Sequence, residues 1–85
     1  MPRKTDRSYS RELRVRHDKI DNHGAVTIRY KSRLHHVGMG RALSGIRVVL
    51  LVAGRDIRVL AAESGELLRQ LTLDPTKDYQ PRGKA

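Results

Sequence analysis

Apolar and polar residues alternate through the first half of the chain. Leu13, Val15 and His17 interleave with Arg14, Arg16 and Asp18; beyond Asp21-Asn22-His23-Gly24, the residues Val26, Ile28 and Tyr30 interleave with Thr27, Arg29 and Lys31. A period of two marks strands with one buried face, because successive side chains point to opposite sides of a sheet. With the Asp-Asn-His-Gly run as its turn, this pattern predicts a β-hairpin. Its aliphatic side chains would face inward and Arg14, Arg16, Arg29 and Lys31 outward, as a basic ribbon. Leu34 to Val37 predicts a short third strand, broken by Gly38-Met39-Gly40 and followed by a wide loop to Gly45. Ile46 to Ala53 is β-branched on both faces and reads as the central, most buried strand. Gly54-Arg55-Asp56 then turns the chain into Ile57 to Ala61. Glu63-Ser64-Gly65-Glu66 is the next turn, with Gly65 in a left-handed position of a bulged hairpin, and Leu67 to Leu73 is the last strand. Leu67, Leu68 and Leu71 also fit a helical period, but Gly65 and Pro75 leave about two turns, too few for a stable helix.

Short strands, tight turns and no long helix predict an all-β fold. The expected architecture is a small SH3-like barrel of five to six short antiparallel strands over residues 13–73, since closure hides sheet edges. Residues 1–12 have too little aliphatic content to offset the entropy of ordering and read as a flexible basic arm carrying Arg3, Lys4, Arg7 and Arg11. Residues 74–85, with Pro75, Pro81 and Gly83, read as a flexible tail.

Composition narrows the function. The 85 residues leave room for one small domain and exclude large catalytic folds. The chain carries 18 Lys+Arg against 9 Asp+Glu, for a formal charge of +9. That excess is front-loaded: +4 over residues 1–19, +3 over 20–45, none over 46–66 and +2 over 67–85. A basic first half beside a neutral apolar middle separates a charged surface from a core, and it points to a polyanionic partner. Without Cys the chain has no disulfide, thiolate ligand or thiol nucleophile, which suits a reducing, cytoplasmic setting. The polar N-terminal segment predicts no secretory leader. The longest apolar run, Val48 to Ala53, is far short of the roughly 20 residues of a membrane span.

Residue constellations for catalysis are weak. His35 and His36 are adjacent in a strand and must point to opposite faces; with His17 and His23 flanking a turn, a shared metal site is not expected. One of the adjacent pair should be packed and hydrogen-bonded, the other exposed to a phosphate or base. Gly38, Gly40 and Gly45 fit neither the dinucleotide fingerprint nor the phosphate loop, although Arg41 among them could touch a backbone phosphate. Asp21, Asp56, Glu63 and Glu66 fall in turns, where acidic side chains satisfy local backbone groups. No cofactor, small-molecule substrate or catalytic residue is expected.

The order of residues adds a resemblance. Arg14 to Pro81 resembles the C-terminal region of bacterial, actinobacterial-type insertion-sequence transposases with a retroviral-integrase-like core. The stretches carrying it are Arg33-Leu34-His35-His36-Val37-Gly38 with Gly40-Arg41, and Thr72-Leu73-Asp74-Pro75 with Asp78-Tyr79; residues 1–13 have no place in the pattern. In that family a helix-turn-helix region recognises element ends, a ribonuclease-H-like core with three metal-binding carboxylates cuts and joins strands, and a small C-terminal β-barrel grips DNA. The resemblance implies the last piece alone, so no carboxylate here is expected to hold magnesium.

Pattern and resemblance together predict a largely sequence-tolerant module that binds the backbone of duplex DNA. The expected contacts are Arg14, Arg16, Arg29, Lys31 and Arg33, with His35 or His36 and Arg41 beside them. The alternatives are an interaction module that self-associates or packs on other transposase subunits, and an RNA-binding small barrel.

Overall fold

The computed structural model describes residues 13–81. The basic arm expected over residues 1–12 and the end of the expected tail, 82–85, lie outside the described residues. Among those described the chain is all-β, with strands β1 (Leu13–Lys19), β2 (Ala25–Tyr30), β3 (Arg33–Gly38), β4 (Arg47–Ala53), β5 (Asp56–Ala61), β6 (Leu67–Thr72) and β7 (Tyr79–Gln80), and a single-turn 3-10 helix at Arg41–Leu43. They form two sheets, one ordered β1-β4-β5-β6 and the other β2-β3-β7. All pairings are antiparallel except that of β3 with β7.

The chain folds here because both sheets turn aliphatic side chains onto one core. Val26, Ile28 and Val37 come from the three-stranded sheet, Val48, Leu50, Val52, Ile57 and Val59 from the four-stranded one, and Ile20, Met39 and Leu73 from the connections. Each such fully buried Val, Ile or Leu stabilises the fold by about 1.5–3 kcal/mol relative to exposure. As expected, β4 is central, the β4–β5 turn falls at Gly54-Arg55, and a register irregularity between Val59 and Leu60 marks a bulged β5–β6 hairpin with Gly65 at φ 78.

The expected β1–β2 hairpin does not form. Asp21–Gly24 does make a tight turn, with the Gly24 N–H bonded to the Asp21 carbonyl (3.0 Å), but it is a corner that carries the chain from one sheet to the other. β1 pairs with β4, so that Arg14, Arg16 and Asp18 stand opposite Val52, Leu50 and Val48. Residues directly opposite each other share a face. Arg14 and Arg16 therefore lie on the core side, at the rim of the sheet, while Val15 (56% exposed) and Leu13 (38%) face outward. This reverses the sorting expected for β1. The physical reason is Ile20: it is 1% exposed and extends the ladder through Ile46 and Gly45, and burying it fixes the phase of every even-numbered residue before it. β2 keeps its expected phase, with Val26 and Ile28 buried, Tyr30 packed against the core and Arg29 exposed.

The folded chain also runs past Leu73, where the sequence reading places a flexible tail. The Gln80 side chain, 4% exposed, ties the 74–80 segment together: its amide NH₂ donates to the carbonyls of Asp74 (2.9 Å) and Lys77 (2.8 Å), and its amide oxygen accepts the Asp74 N–H (2.9 Å). Arg69, on β6, reaches across to the carbonyls of Gly38 (2.5 Å) and Pro81 (2.7 Å), joining the two sheets. Burial lowers its pKa, against an opposing influence from Tyr79.

Two backbone positions make testable demands. Gly24 sits at φ 81 with its carbonyl accepting the N–H groups of Met39 and Gly40 (2.6 and 3.0 Å), so closely that a Cβ there would overlap the backbone of Gly40 and Arg41. Gly24→Ala should cost more than about 2 kcal/mol by urea denaturation, against about 1 kcal/mol for Gly65→Ala, where only the positive φ matters and the space is open. The β2–β3 turn places Lys31 (φ 50) and Ser32 (φ 66) in the left-handed region of a two-residue hairpin, where Asn-Gly is favoured. Replacing Lys31-Ser32 by Asn-Gly should raise stability by about 1 kcal/mol in the same assay.

Candidate nucleic-acid interface

β1–β4 pairing creates a feature that local sequence does not disclose. It sets Lys19 directly opposite Arg47 on the outer face of the four-stranded sheet. Like charges at directly opposed positions destabilise a sheet unless a counter-charge lies between them. The nearest carboxylate in sequence, Asp18, is turned back onto the Lys19 backbone N–H (2.7 Å) and forms no ion pair with either cation. His17 precedes Lys19 on the same outer face, opposite Val49, and an open depression there is lined by His17, Asp18, Lys19 and Arg47. On its other side Arg47 borders a wider cleft with Gly45, Ile46, Ala61, Glu63 and Ser64.

The turns add cationic and donor groups at this end of the domain. The Gly45 N–H donates to the Ile20 carbonyl (2.8 Å) and the Ser44 hydroxyl to that of Asn22 (3.4 Å), drawing the 3-10 turn against the Asp21–Gly24 corner. Arg41, exposed, begins that turn beside Gly24, and His23 is exposed on the corner itself. The carboxylate in this corner is occupied: Asp21 accepts the N–H groups of Ala25 (3.0 Å) and His23 (2.9 Å). The Ala25 bond foremost, then the His23 bond and the nearby His23 ring, hold its pKa below the usual carboxylate value, with desolvation opposing.

The eight residues expected to touch DNA do not form one ribbon. Arg14 and Arg16 stand on the rim of the four-stranded sheet. Arg29 is exposed on the outer face of the other sheet, where His36, half-buried and opposite Thr27, is its diagonal neighbour. Lys31 sits at the β2–β3 turn with its ammonium 5.7 Å from the centre of the Tyr30 ring. Arg33 is engaged by Asp78, whose Oδ1 accepts from Nε (3.0 Å) and pairs with Nη2 (2.8 Å). Arg41 joins the corner. His35 is 1% exposed, its Nδ1 2.8 Å from the Lys77 carbonyl and its ring edge-on to Tyr30. It is a core residue and is withdrawn from the contact set; the division of the histidine pair into one buried and one more accessible ring stands.

Sequence reasoning missed Lys19 and Arg47 because their apposition depends on a pairing between strands about thirty residues apart; Ile20, in phase with Arg16 and Asp18, was the one local signal. Among the described residues Arg33–Asp78 is the one ion pair, and no three His, Asp or Glu side chains gather as metal ligands. Among the described residues no helix is long and apolar enough to cross a membrane. Comparison with protein-family models, curated proteins and solved structures gives no match.

Acidification tests the turn carboxylates. Asp74, like Asp21, has its pKa lowered, chiefly by the Thr76 hydroxyl (2.6 Å) and N–H (3.0 Å). Their folded-state values lie below the unfolded value near 3.8, so the stabilisation is complete above that pH and is lost as pH falls through the folded values. The wild-type chain should lose stability below about pH 4. An Asp21→Ala/Asp74→Ala variant should be less stable at neutral pH and show a flatter acid limb in thermal melts; an unchanged limb would remove these two groups as its source.

Proposed function

We propose that this domain binds the phosphate backbone of duplex DNA without reading sequence, as the DNA-gripping module of a transposase or integrase-like protein acting in the cytoplasm at the nucleoid. The observation that carries the reading is the Lys19–Arg47 apposition. Neither cation forms an ion pair with a carboxylate among the described residues, and such a cross-strand pair is stabilised by a bound polyanion, which phosphates spaced along a duplex supply. Arg41 adds a cation in the neighbouring turn, His17 and His23 add ring donors, and the chain's overall charge of +9 draws DNA toward the domain.

Backbone binding suits the aromatic inventory. The chain has three tyrosines and no Phe or Trp. Tyr30 packs against the core, leaving Tyr79 as the exposed ring among the described residues. A single ring gives little means of stacking successive bases, so duplex is favoured over single strands. Cutting and joining strands belongs, in this reading, to a catalytic core outside these 85 residues, and the domain itself is not an enzyme.

A second reading has its own observation. Val15, Leu51, Val49, Leu60 and Leu67 form a half-exposed aliphatic patch across the outer face of the four-stranded sheet, the kind of surface that packs on another protein. That favours an assembly module of the same kind of protein.

Salt separates the two. If about five phosphates are neutralised, log affinity of the full chain for an arbitrary duplex should fall with log salt at a slope near -4 to -5, and Lys19→Ser/Arg47→Ser should reduce that slope by about 2. A slope near zero in fluorescence-anisotropy titrations would reject DNA binding and leave the assembly reading. Tighter binding to structured RNA would instead make the domain an RNA-binding barrel.

A further inference from the structure

We propose that β1 is a dimerisation edge, through which two copies of this chain join their four-stranded sheets antiparallel about His17. β1 stands at the end of its sheet, and its backbone phase is fixed by Ile20, whose N–H donates to the Ile46 carbonyl (3.0 Å) and whose carbonyl accepts from Gly45 (2.8 Å). Backbone groups alternate sides along a strand. The even-numbered residues of β1 therefore address β4, while Val15, His17 and Lys19 direct their N–H and C=O groups to the open side. The Lys19 N–H agrees with this phase: among the described residues it has no strand partner and donates to the Asp18 carboxylate of its own chain.

An edge of seven residues with no neighbour among the described strands is a template for another strand, and its side chains decide which one. Arg16 and Asp18 carry opposite charge on one face, either side of His17. Antiparallel pairing about His17 sets Arg16 opposite Asp18 of the second copy, twice, with Val15 opposite Lys19. Pairing about Arg16 would oppose that arginine to itself, and pairing about Val15 would oppose Arg14 to Arg16. Charge thus selects the His17 register, and the occupant it selects is a second copy. The remaining edges are less suited: β6 is tied to the other sheet by Arg69, β7 has two residues, and β2 carries a single charge, Arg29.

A two-fold axis through the joined sheet leaves both outer faces on the same side. The two Lys19–Arg47 pairs then flank the axis and form one cationic surface of twice the size. The pairing itself rests on the geometry of β1, and its test involves no DNA.

Sedimentation equilibrium of the full chain over a wide concentration range is the experiment, with circular dichroism to confirm folding of each variant. The wild-type chain should show a monomer–dimer equilibrium. His17→Pro removes an N–H that bonds nothing within the described chain, a substitution edge strands accept, and should leave a folded monomer. Arg16→Asp replaces two attractions by two repulsions and should weaken the dimer about tenfold or more, while Arg16→Asp/Asp18→Arg restores it and keeps the test valid should the proline variant not fold. A chain monomeric throughout, whose charged edge only repels other strands, overturns the proposal; so does a dimer indifferent to His17→Pro and to both charge changes.

Discussion

The pairing of β1 with β4 is the constraint on which the rest of this structure depends. β4 supplies Val48, Leu50 and Val52 to the core and has its second edge filled by β5, so β1 completes the sheet around the most buried strand. The pairing also decides the chemistry of the surface. It turns Arg14 and Arg16 toward the core side of the rim, turns Val15 outward, and brings Lys19 against Arg47. A slip of one residue would invert every one of these placements.

Ile20 holds that register. One buried isoleucine at the end of an edge strand, bonded on both sides of its peptide to the Gly45–Ile46 segment, opposes the preference of Arg14 and Arg16 for water. Long basic side chains make this tolerable at a rim, because their methylenes can lie along apolar surface while the charged heads reach solvent. The same turn brings Gly24 against Gly40 and the backbone of Arg41. A structural requirement at the corner thus fixes where the 3-10 turn and its Arg41 sit beside the end of β1.

Much of the fold was legible in the sequence where the signal is local. The β2 alternation, the buried β4, the turn at Gly54-Arg55 and the left-handed Gly65 follow from side-chain period and glycine chemistry, and they stand in the structure. What failed was partner choice. Alternation says that a strand has two faces, not which strand lies beside it or which face a mixed set such as Leu13, Val15, Arg14 and Arg16 buries. A turn sequence between two strands predicts a hairpin equally well when it forms a corner between sheets. The Asp74–Gln80 segment was missed for a related reason: it is held by polar groups, the Gln80 amide and Arg69, and has no hydrophobic period to detect. The candidate site inherits the first failure, since Lys19 and Arg47 become neighbours only through a long-range register.

β1–β4 pairing sets Lys19 opposite Arg47, and the proposed DNA surface rests on that apposition. Its most direct test is a chemical-shift titration of the isotope-labelled chain with a short duplex of arbitrary sequence. Amide shifts concentrated at His17, Lys19, Arg47 and the Gly40–Arg41 turn, fading as salt is raised, are the predicted result. Shifts confined to Arg29 and Lys31 on the opposite sheet, or none at low salt, would contradict it.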